Sequence, residues 1–423
     1  MGDALVPQKC ISAATAKIRL LFFAESVTLA HLARPIAIAR NLDPDRYEII
    51  IACDQRYSHF LANGQWQYVD LKTISSDRFL DSLASGRPVY DYQVLSDYVV
   101  EDIFLLNRFK PDIVIGDFRL SLSVSARQAN IPYITITNGY WSTAYGNEFP
   151  MPSLPMTRIL PIPVAAALFS LAAPFAMRFH CRALNKLRRQ NGLLSLGNNI
   201  RRVYTDADHV LCADAYEFLP ISKLPANHTH LGPLPWAPQL EEPSWWPAAR
   251  DDKPVIYVTL GSSGPPELLQ VVLSALAPLD VSVIASSAGK SFPKDVPPNA
   301  KIAKYLDGQA AADISRLVIC NGGSPTTQQA LTAGVPVLAL ASNMDQFLNM
   351  HSLEKKGAGE TIRADRATVV SVRQSVIHLL QSDSHRERAK DIACAMSRPD
   401  KISQIFDSVV SRLLPQRSID VQN

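Results

Sequence analysis

The chain has 423 residues, of which 47% are hydrophobic and 19% are charged, and its formal net charge is +3. This length and composition indicate an ordinary globular protein with two or three domains and exclude a disordered or fibrous one. Because the net charge is small and the Lys and Arg residues are dispersed, the sequence lacks the basic stripe that nucleic acid requires. Nucleic acid is therefore not an expected partner.

The six cysteines are far apart in the chain and include no C-x-x-C pair: Cys10, Cys53, Cys181, Cys212, Cys320 and Cys394. This pattern indicates neither a zinc site nor a disulfide framework and favours a reducing, cytoplasmic location. Residues 1–17 lack the continuous apolar core of a secretory signal. We expect them to form a flexible N-terminal tail.

In the first half, short β-branched runs alternate with longer segments of helical periodicity. The strands are predicted at 18–24, 47–53, 113–117 and 133–137, and the helices near 28–42, 92–108 and 121–129. This alternation is typical of parallel strands joined by crossover helices.

An uncharged stretch at 159–177 lies between Arg158 and Arg178 and has about the length of a short membrane span. It contains Pro161, Pro163 and Pro174, and each proline removes a backbone donor that hydrocarbon cannot replace. A spanning helix is therefore disfavoured, and we expect a buried hairpin or helix that lines a pocket. Peripheral contact with a membrane is an alternative but is not the expected one.

Residues 233–250 are rich in Pro and Trp and are predicted to link two domains. The pattern then repeats, with strands at 255–260, 282–286, 301–305, 317–320 and 335–340 and helices at 267–276, 326–333 and 345–356. The sequence thus predicts two doubly wound, Rossmann-like α/β lobes, 18–232 and 251–400, that face each other across an interdomain cleft. Open α/β sheets bind ligands at the carboxyl ends of their strands, which line such a cleft. Residues 401–423 are predicted to form a C-terminal helix that can cross back to the first lobe.

The segment 321–327, Asn-Gly-Gly-Ser-Pro-Thr-Thr, directly follows one predicted strand and precedes a helix. Glycines allow a tight turn, and hydroxyls with free amides at a helix start can hold an anion such as a diphosphate. An ordinary Gly-rich turn with a capping hydroxyl is the alternative.

The residues that follow carry a family resemblance: Ala-Leu-Thr-Ala-Gly-Val-Pro at 330–336, Asp-Gln-Phe-Leu-Asn at 345–349 and Gly-Ala-Gly at 357–359. At these spacings the block resembles the donor-nucleotide signature of family 1 glycosyltransferases. That group includes UDP-glucuronosyltransferases and the glycosyltransferases of plant secondary metabolites and antibiotics. The resemblance implies the two-lobed GT-B fold and transfer of a sugar from a nucleotide diphosphate to a small-molecule hydroxyl.

The resemblance also implies roles for single residues on the donor side. Tyr305 would stack on the base, Gln329 would reach the ribose, and Asp345 and Gln346 would bind the sugar. The diphosphate would lie between two loops, and its ligands would be Gly261, Ser262, Asn321, Gly322, Gly323, Ser324, Thr326 and Thr327.

Three positions depart from the family pattern. Asn321 replaces the usual His and cannot supply a positive charge to the leaving diphosphate. Gln329 replaces the Glu of many UDP-sugar enzymes, so uridine and thymidine donors both remain open. Tyr305 is followed by Asp307 and Gly308 instead of Pro-Gln, and a buried strand-end tyrosine is its alternative role.

On the acceptor side, His31 lies in the segment 26–35, which resembles the region of the family's general base. Imidazole suits proton abstraction because its pKa lies near working pH. Asp117 matches the partner acid that orients the base. The alternatives are a structural histidine and an aspartate that caps helix 121–129. Asn138, Trp141 and the stretch 159–177 are predicted to form the acceptor wall, with plain core as their alternative.

The sequence therefore predicts an inverting, metal-independent glycosyltransferase that uses a UDP- or dTDP-sugar as co-substrate, needs no other cofactor and accepts a hydrophobic small molecule. The Asp-x-Asp spacing at 43–45 falls in a turn before a strand. Two alternatives remain open. A nucleotide-sugar 2-epimerase would need acidic acid/base residues in the cleft. A catalytically silent relative fits Asn321 and Gln329, but it has no need of His31 with Asp117.

Overall fold

The computed structural model describes residues 16–62, 64–146, 149–216, 219, 223–238, 241–246, 252–396 and 402–415. Residues 1–15 of the predicted N-terminal tail lie outside the described residues. Residues 239–240 and 247–250 of the predicted linker also lie outside them, as do residues 401 and 416–423 of the predicted C-terminal segment.

The first lobe is built on a sheet of seven parallel strands in the order β3-β2-β1-β4-β5-β6-β7. The strands are β1 Ile18–Ala24, β2 Tyr47–Cys53, β3 Gln67–Asp70, β4 Ile113–Asp117, β5 Tyr133–Thr137, β6 His209–Cys212 and β7 His228–His230. Leu20 and Phe22 of β1 pack into the core on one face of the sheet, and Leu21 and Phe23 pack into the core on the other. Both faces are covered, which explains why this strand reads as a continuous hydrophobic run.

In the part of the first lobe that the structure describes, seven α-helices lie between residues 30 and 204. They are α1 Ala30–Ala39, α2 Ser76–Ser85, α3 Tyr92–Phe109, α4 Leu122–Gln128, α5 Pro155–Ile159, α6 Ile162–Gln190 and α7 Ile200–Tyr204. Helix α3 begins at a capping residue, because the Asp91 carboxylate accepts a hydrogen bond from the Val94 amide.

The second lobe has six parallel strands in the order β10-β9-β8-β11-β12-β13. The strands are β8 Val255–Thr259, β9 Ser282–Ser286, β10 Ala300–Ala303, β11 Leu317–Cys320, β12 Val337–Ala341 and β13 Gly359–Arg363. The helices are α8 Pro266–Leu276, α9 Gly308–Asp313, α10 Ser324–Thr332, α11 Met344–Lys356, α12 Val369–Gln381, α13 Asp383–Met396 and α14 Ile402–Leu413. The prediction of two doubly wound α/β lobes is confirmed.

The strand order places one switch point in each sheet, between β1 and β4 in the first and between β8 and β11 in the second. At a switch point the loops after the two neighbouring strands leave toward opposite faces, and a crevice opens between them. His31, Ser262 and Asn321 lie in the segments that follow β1, β8 and β11, and Asp117 is the last residue of β4. The topology therefore brings the predicted catalytic and diphosphate-binding segments to the two crevices.

The last helix, α14, packs against the first lobe although it follows the second in sequence. Phe406, Val409 and Val410 are buried in the core that also contains β1 and β2. Asp407 accepts a hydrogen bond from the Tyr47 hydroxyl and pairs with Arg46 at 3.2 Å. The chain thus crosses between the lobes a second time.

A segment of the first half also contacts the second lobe directly. The Ser153 amide donates to the Ser342 carbonyl oxygen at 2.7 Å, and the Arg363 guanidinium donates to the Met151 carbonyl oxygen at 2.8 Å. The Thr157 hydroxyl donates to the Asp365 carboxylate. These bonds hold the two lobes in one relative position beside the cleft.

The uncharged stretch 159–177 is mostly helical, which is one of the two predicted forms, but the prediction that it is buried is wrong. Residues 162–177 of this stretch form the first half of α6. Pro163 occupies its first turn, where a missing amide costs no helical hydrogen bond, and Pro174 lies inside the helix. Leu171 and Phe175 are 74% and 75% exposed, because only one side of the helix packs on the lobe. By length and composition alone α6 could cross a membrane. Only 11% of its most apolar stretch is buried inside the protein.

Candidate active site

His31 and Asp117 meet at the first switch point. Asp117 ends β4 beside Ala24 of β1, and His31 lies in the first turn of α1, which follows β1. The imidazole Nδ1 lies 2.7 Å from Asp117 Oδ1, and the carboxylate is fully buried. Helix α4 begins at Leu122, and its N-cap residue, Ser121, makes no side-chain capping bond. The Asp117 carboxylate instead accepts from His31 and Arg34.

Arg34 is a third member of this cluster, and sequence reasoning missed it. Its Nε donates to Asp117 Oδ2 at 2.7 Å, and its Nη2 donates to Asp117 Oδ1 at 2.6 Å. Its Nη1 donates to the Asn138 amide oxygen at 2.8 Å. Burial acts to lower the pKa of Arg34, but the facing Asp117 charge outweighs it and the pKa is raised. The sequence signal that could have identified Arg34 is its spacing from His31, since residues three apart lie on the same face of a helix.

The hydrogen-bond partners assign the tautomer of His31. A carboxylate held by a guanidinium fork is ionised and can only accept, so His31 Nδ1 must carry the hydrogen that it shares with Asp117. Arg34 Nη2 lies 3.0 Å from the same Nδ1 but is itself a donor. It therefore makes no hydrogen bond to a protonated Nδ1. The lone pair of the imidazole then lies on Nε2, which is the arrangement of a general base.

Phe118 covers one face of the imidazole. The two rings stack with centroids 4.9 Å apart and an interplanar angle of 13°. Phe118 has a φ of 60°, in the left-handed region, which costs about 1 kcal/mol for a residue with a side chain. The strained turn after β4 thus directs a flat apolar surface against His31, and nothing in the sequence pattern had indicated this.

A cavity of about 610 Å³ opens from this cluster into the first lobe. His31, Asp117 and the predicted acceptor residues Asn138 and Trp141 all line it. Most of its remaining wall is aromatic or aliphatic and includes Phe79, Phe118, Leu168, Phe169, Ala173, Met177 and Tyr204. Helix α6 thus lines a pocket through one face only.

A second cavity, of about 160 Å³, lies between the lobes. The predicted donor residues along its wall are Gly261, Ser262, Tyr305, Asn321, Gly323, Thr326 and Gln329, with Thr28, Ala30 and Trp236 opposite them. Thr28, Ala30, Ser263, Gly323 and Pro325 line both cavities, so the two spaces adjoin next to His31.

Asn321 cross-links the two predicted diphosphate loops. Its Nδ2 donates to the Ser263 hydroxyl at 2.9 Å, and its Oδ1 accepts from the Gly323 amide at 3.1 Å. Gly261 adopts a φ of 61° beside it. The amide at this position therefore holds the loop geometry, and Ser263, which sequence reasoning did not single out, is its partner.

Two predicted diphosphate ligands do not reach either cavity. The Thr327 hydroxyl is fully buried, donates to the Ser324 carbonyl oxygen at 3.0 Å and accepts from Asn349 Nδ2 at 2.8 Å. Gly322 has a φ of 81°, and a Cβ there would lie 2.9 Å from Met350 Cγ, so it forms a tight turn against the core. Helix α10 begins at Ser324, which turns Thr327 inward and leaves Thr326 on the cavity side.

The residues predicted to bind base and ribose lie close together. Tyr305 packs edge-on against Phe60 with ring centroids 5.9 Å apart, and burial raises the pKa of its hydroxyl. Gln329 Nε2 donates to the Trp236 carbonyl oxygen at 2.9 Å. A Cβ on Gly308 would lie 2.4 Å from Gln329 Oε1. The amide of Gln329 is thus held from two sides at the cavity wall.

The side chains predicted to bind the sugar already accept hydrogen bonds from other groups of the protein. Asp345 Oδ1 accepts from Trp141 Nε1 at 2.8 Å and from the Tyr140 hydroxyl at 3.0 Å, and both donors belong to the first lobe. Gln346 Oε1 accepts from the Ser342 amide at 2.7 Å, so its side chain caps helix α11. Both residues still line the larger cavity.

A second polar contact crosses the cleft at Asn138. Its Nδ2 donates to the Ser324 hydroxyl at 2.8 Å and to Asp214 Oδ1 at 3.0 Å. Burial raises the pKa of Asp214, although the bonds from the Gly139 amide and Asn138 oppose that rise. Asp214, like Tyr140, had no signal in the sequence pattern.

Among the residues that the structure describes, no three His, Cys, Asp or Glu side chains come together in a way that could hold a metal ion. Metal-independent chemistry stays a prediction.

The two facing parallel-sheet lobes and the adjoining cavities at their switch points have the architecture of a GT-B glycosyltransferase. Among solved structures, the spinosyn rhamnosyltransferase SpnG complexed with spinosyn aglycone matches 92% of this chain and 99% of its own, with a TM-score of 0.69 and 17% identity. The same enzyme has also been solved with thymidine diphosphate. At this identity the match establishes the fold.

Sequence relatives establish the family. The model of the erythromycin biosynthesis protein CIII-like C-terminal domain matches residues 270–409. A PGL/p-HBAD biosynthesis glycosyltransferase of Mycobacterium tuberculosis is 46% identical over 399 residues, which are 94% of this chain and 93% of the relative. A PGL/p-HBAD biosynthesis rhamnosyltransferase of Mycobacterium bovis is 46% identical over 400 residues, 94% of this chain and 89% of the relative. The chain belongs to this family of glycosyltransferases, so the resemblance is confirmed.

Proposed function

We propose that this enzyme transfers a sugar from a dTDP- or UDP-sugar to the hydroxyl of a hydrophobic small molecule, with inversion at the anomeric carbon. The observation that carries the proposal is the place of His31. It lies where the large apolar cavity adjoins the smaller cavity between the diphosphate loops, and Asp117 fixes its tautomer.

In the proposed reaction, His31 Nε2 takes the proton of the acceptor hydroxyl while the acceptor oxygen attacks the anomeric carbon. The bond from that carbon to the diphosphate oxygen breaks, and the nucleotide diphosphate leaves from the opposite side. Asp117 stabilises the imidazolium that forms. Ser262 and Thr326 line the smaller cavity near the start of α10, and in the proposed reaction they and the free amides there stabilise the charge that develops on the leaving group.

The acceptor is proposed to be an apolar molecule with an aromatic hydroxyl. Six Phe, Tyr and Trp residues line the larger cavity, and aromatic rings pack well against such walls. They are Phe79, Phe118, Tyr133, Trp141, Phe169 and Tyr204. Its volume of about 610 Å³ is that of an ordinary small-molecule site. The donor is proposed to include dTDP-rhamnose, since one relative is named a rhamnosyltransferase and the fold has been solved with thymidine diphosphate in a rhamnosyltransferase.

The test is a matrix of dTDP-rhamnose, dTDP-glucose and UDP-glucose against phenols and aliphatic alcohols, with products identified by mass spectrometry and their anomeric configuration by NMR. We expect His31→Ala to leave nucleotide diphosphate affinity within about twofold and to lower turnover by about a hundred-fold to ten-thousand-fold. His351→Ala is the matched control, because His351 is exposed and lies outside both cavities. Wild-type turnover in His31→Ala, or retention of configuration, would overturn the proposal.

A further inference from the structure

Helix α6 exposes a continuous apolar stripe on the side that faces away from the lobe. Val164, Leu168, Leu171 and Phe175 follow one another at steps of four, three and four residues, so they lie on one helix face. They are 48%, 47%, 74% and 75% exposed. A contiguous apolar surface of this kind on a soluble protein marks an interaction site more often than an ordinary surface.

The same stripe becomes cationic along the second half of the helix. Arg178, Arg182, Lys186 and Arg189 continue it at steps of four, four and three residues, and all are exposed. The sequence from 149 to 205 contains eight Lys and Arg residues and no Asp or Glu, in a chain whose formal net charge is only +3. The positive charge is therefore concentrated around this helix, and an anionic partner complements it.

The opposite side of α6 belongs to the larger cavity. Phe169, Ala173 and Met177 line that cavity, and so do Leu168 and Ala172 at the edge of the exposed stripe. One helix thus separates the cavity from the exposed surface. An apolar molecule that lies against the exposed stripe is therefore separated from the cavity only by the width of α6.

We propose that the outward stripe of α6 docks on an anionic lipid bilayer. Val164, Leu168, Leu171 and Phe175 enter the boundary between headgroups and acyl chains, and the four cations bind lipid phosphates. Such a helix lies in the plane of the interface, because its other face, with Phe169, Cys181 and Leu184, is buried on the lobe. The proposal goes beyond the proposed function, since lipid binding requires neither donor nor transfer.

The experiment is flotation of the full chain with two kinds of vesicle, pure phosphatidylcholine and a mixture of one part phosphatidylglycerol to two parts phosphatidylcholine. We expect binding to the anionic vesicles to be at least about tenfold tighter than to the neutral ones, and to weaken as NaCl is raised. Arg182→Glu with Lys186→Glu is expected to lower anionic-vesicle binding by at least about tenfold. Leu171→Glu with Phe175→Glu is expected to lower it to the level of the neutral vesicles.

The matched control is Val100→Glu with Phe104→Glu on α3, where the two apolar side chains are 70% and 61% exposed and also four residues apart. This variant is expected to bind like wild type. None of the six substituted side chains lines either cavity. Turnover with a water-soluble acceptor in the absence of vesicles should therefore match wild type in all three variants, which also shows that they fold.

Three results would overturn the proposal. The first is equal binding by wild type and Leu171→Glu with Phe175→Glu, and the second is equal binding to neutral and anionic vesicles. The third is a wild-type dimer without lipid that this variant dissociates, which would make a second copy of the chain the occupant. Because flotation and turnover are measured separately, loss of either leaves the other interpretable.

Discussion

Asp117 has two roles in this structure, and a pair of substitutions can separate them. Its carboxylate accepts from His31 Nδ1 at 2.7 Å and from two nitrogens of Arg34 at 2.6 and 2.7 Å. It is therefore both the partner that orients the base and the counter-ion of a buried cation. Asp117→Leu keeps roughly the same volume but accepts no hydrogen bond, so it removes both roles at once.

The magnitude follows from the burial of both groups. In Asp117→Leu the Arg34 guanidinium remains buried without its countercharge, so the free energy of unfolding should fall by about 3 to 5 kcal/mol. Adding Arg34→Met removes that charge and should restore most of the lost free energy of unfolding. About 1 kcal/mol should remain lost, because the Asn138 oxygen loses its donor. Turnover should stay about a hundred-fold to ten-thousand-fold low in both variants, since Leu cannot hold the Nδ1 hydrogen of His31.

The assays are urea denaturation followed by fluorescence and steady-state kinetics with the best donor and acceptor. Arg34→Met alone completes the cycle and measures how strongly the two side chains are coupled. If Arg34→Met with Asp117→Leu recovers turnover together with stability, Asp117 serves only as the counter-ion of Arg34 and the assignment of a base-orienting role is refuted.

Three further predictions follow from the donor cavity and the first lobe. Ser262→Ala should weaken nucleotide diphosphate binding by about 1 to 3 kcal/mol in calorimetry, whereas Thr327→Ala should lower stability and leave that affinity within about twofold. UDP and dTDP should bind within about tenfold of each other, or about 1.4 kcal/mol, and Gln329→Glu should widen the gap in favour of UDP; a wild-type preference of a hundredfold would contradict this. Burial lowers the pKa of His209 and of His228 to about 4, so the unfolded chain takes up protons first as pH falls from about 6.5 to 4. Stability should therefore decline across that range in acid titrations, and less steeply in His209→Gln.

The fold was predictable where a buried strand leaves a strong local pattern. β1, β2, β4 and β5 match the predicted bounds because each is a run of β-branched and aromatic residues covered on both faces. Helix ends were less predictable. The apolar periodicity continues to Leu42, which is buried, but helix α1 already ends at Ala39. β3 was not predicted, because its mostly exposed polar residues at the sheet edge carry no hydrophobic signal.

The site was predictable to the level of segments and not of atoms. Strand order alone brings His31 and Asp117 together, because His31 follows β1 and Asp117 ends the neighbouring strand β4 at a switch point. Which side chain faces the cavity depends on where a helix begins. Helix α10 begins at Ser324, and successive residues turn by about 100°, so Thr326 faces the cavity while Thr327 faces the core. Arg34 was missed because its role depends on a carboxylate that is distant in sequence.

The two halves of the site share their polar groups across the cleft. Trp141 of the acceptor wall donates to Asp345 Oδ1, and Asn138 of the same wall donates to the Ser324 hydroxyl. Asp345 Oδ1 thus already accepts two bonds from the first lobe, so a sugar hydroxyl has Oδ2 of that carboxylate as its open acceptor. A change at Trp141 therefore alters the shape of the acceptor wall and also the hydrogen-bonding capacity of the donor side. With Asp345 in the sugar-binding role that the family resemblance implies, we expect acceptor choice and sugar choice to be coupled through this carboxylate, and substitutions that alter one should be measured against both.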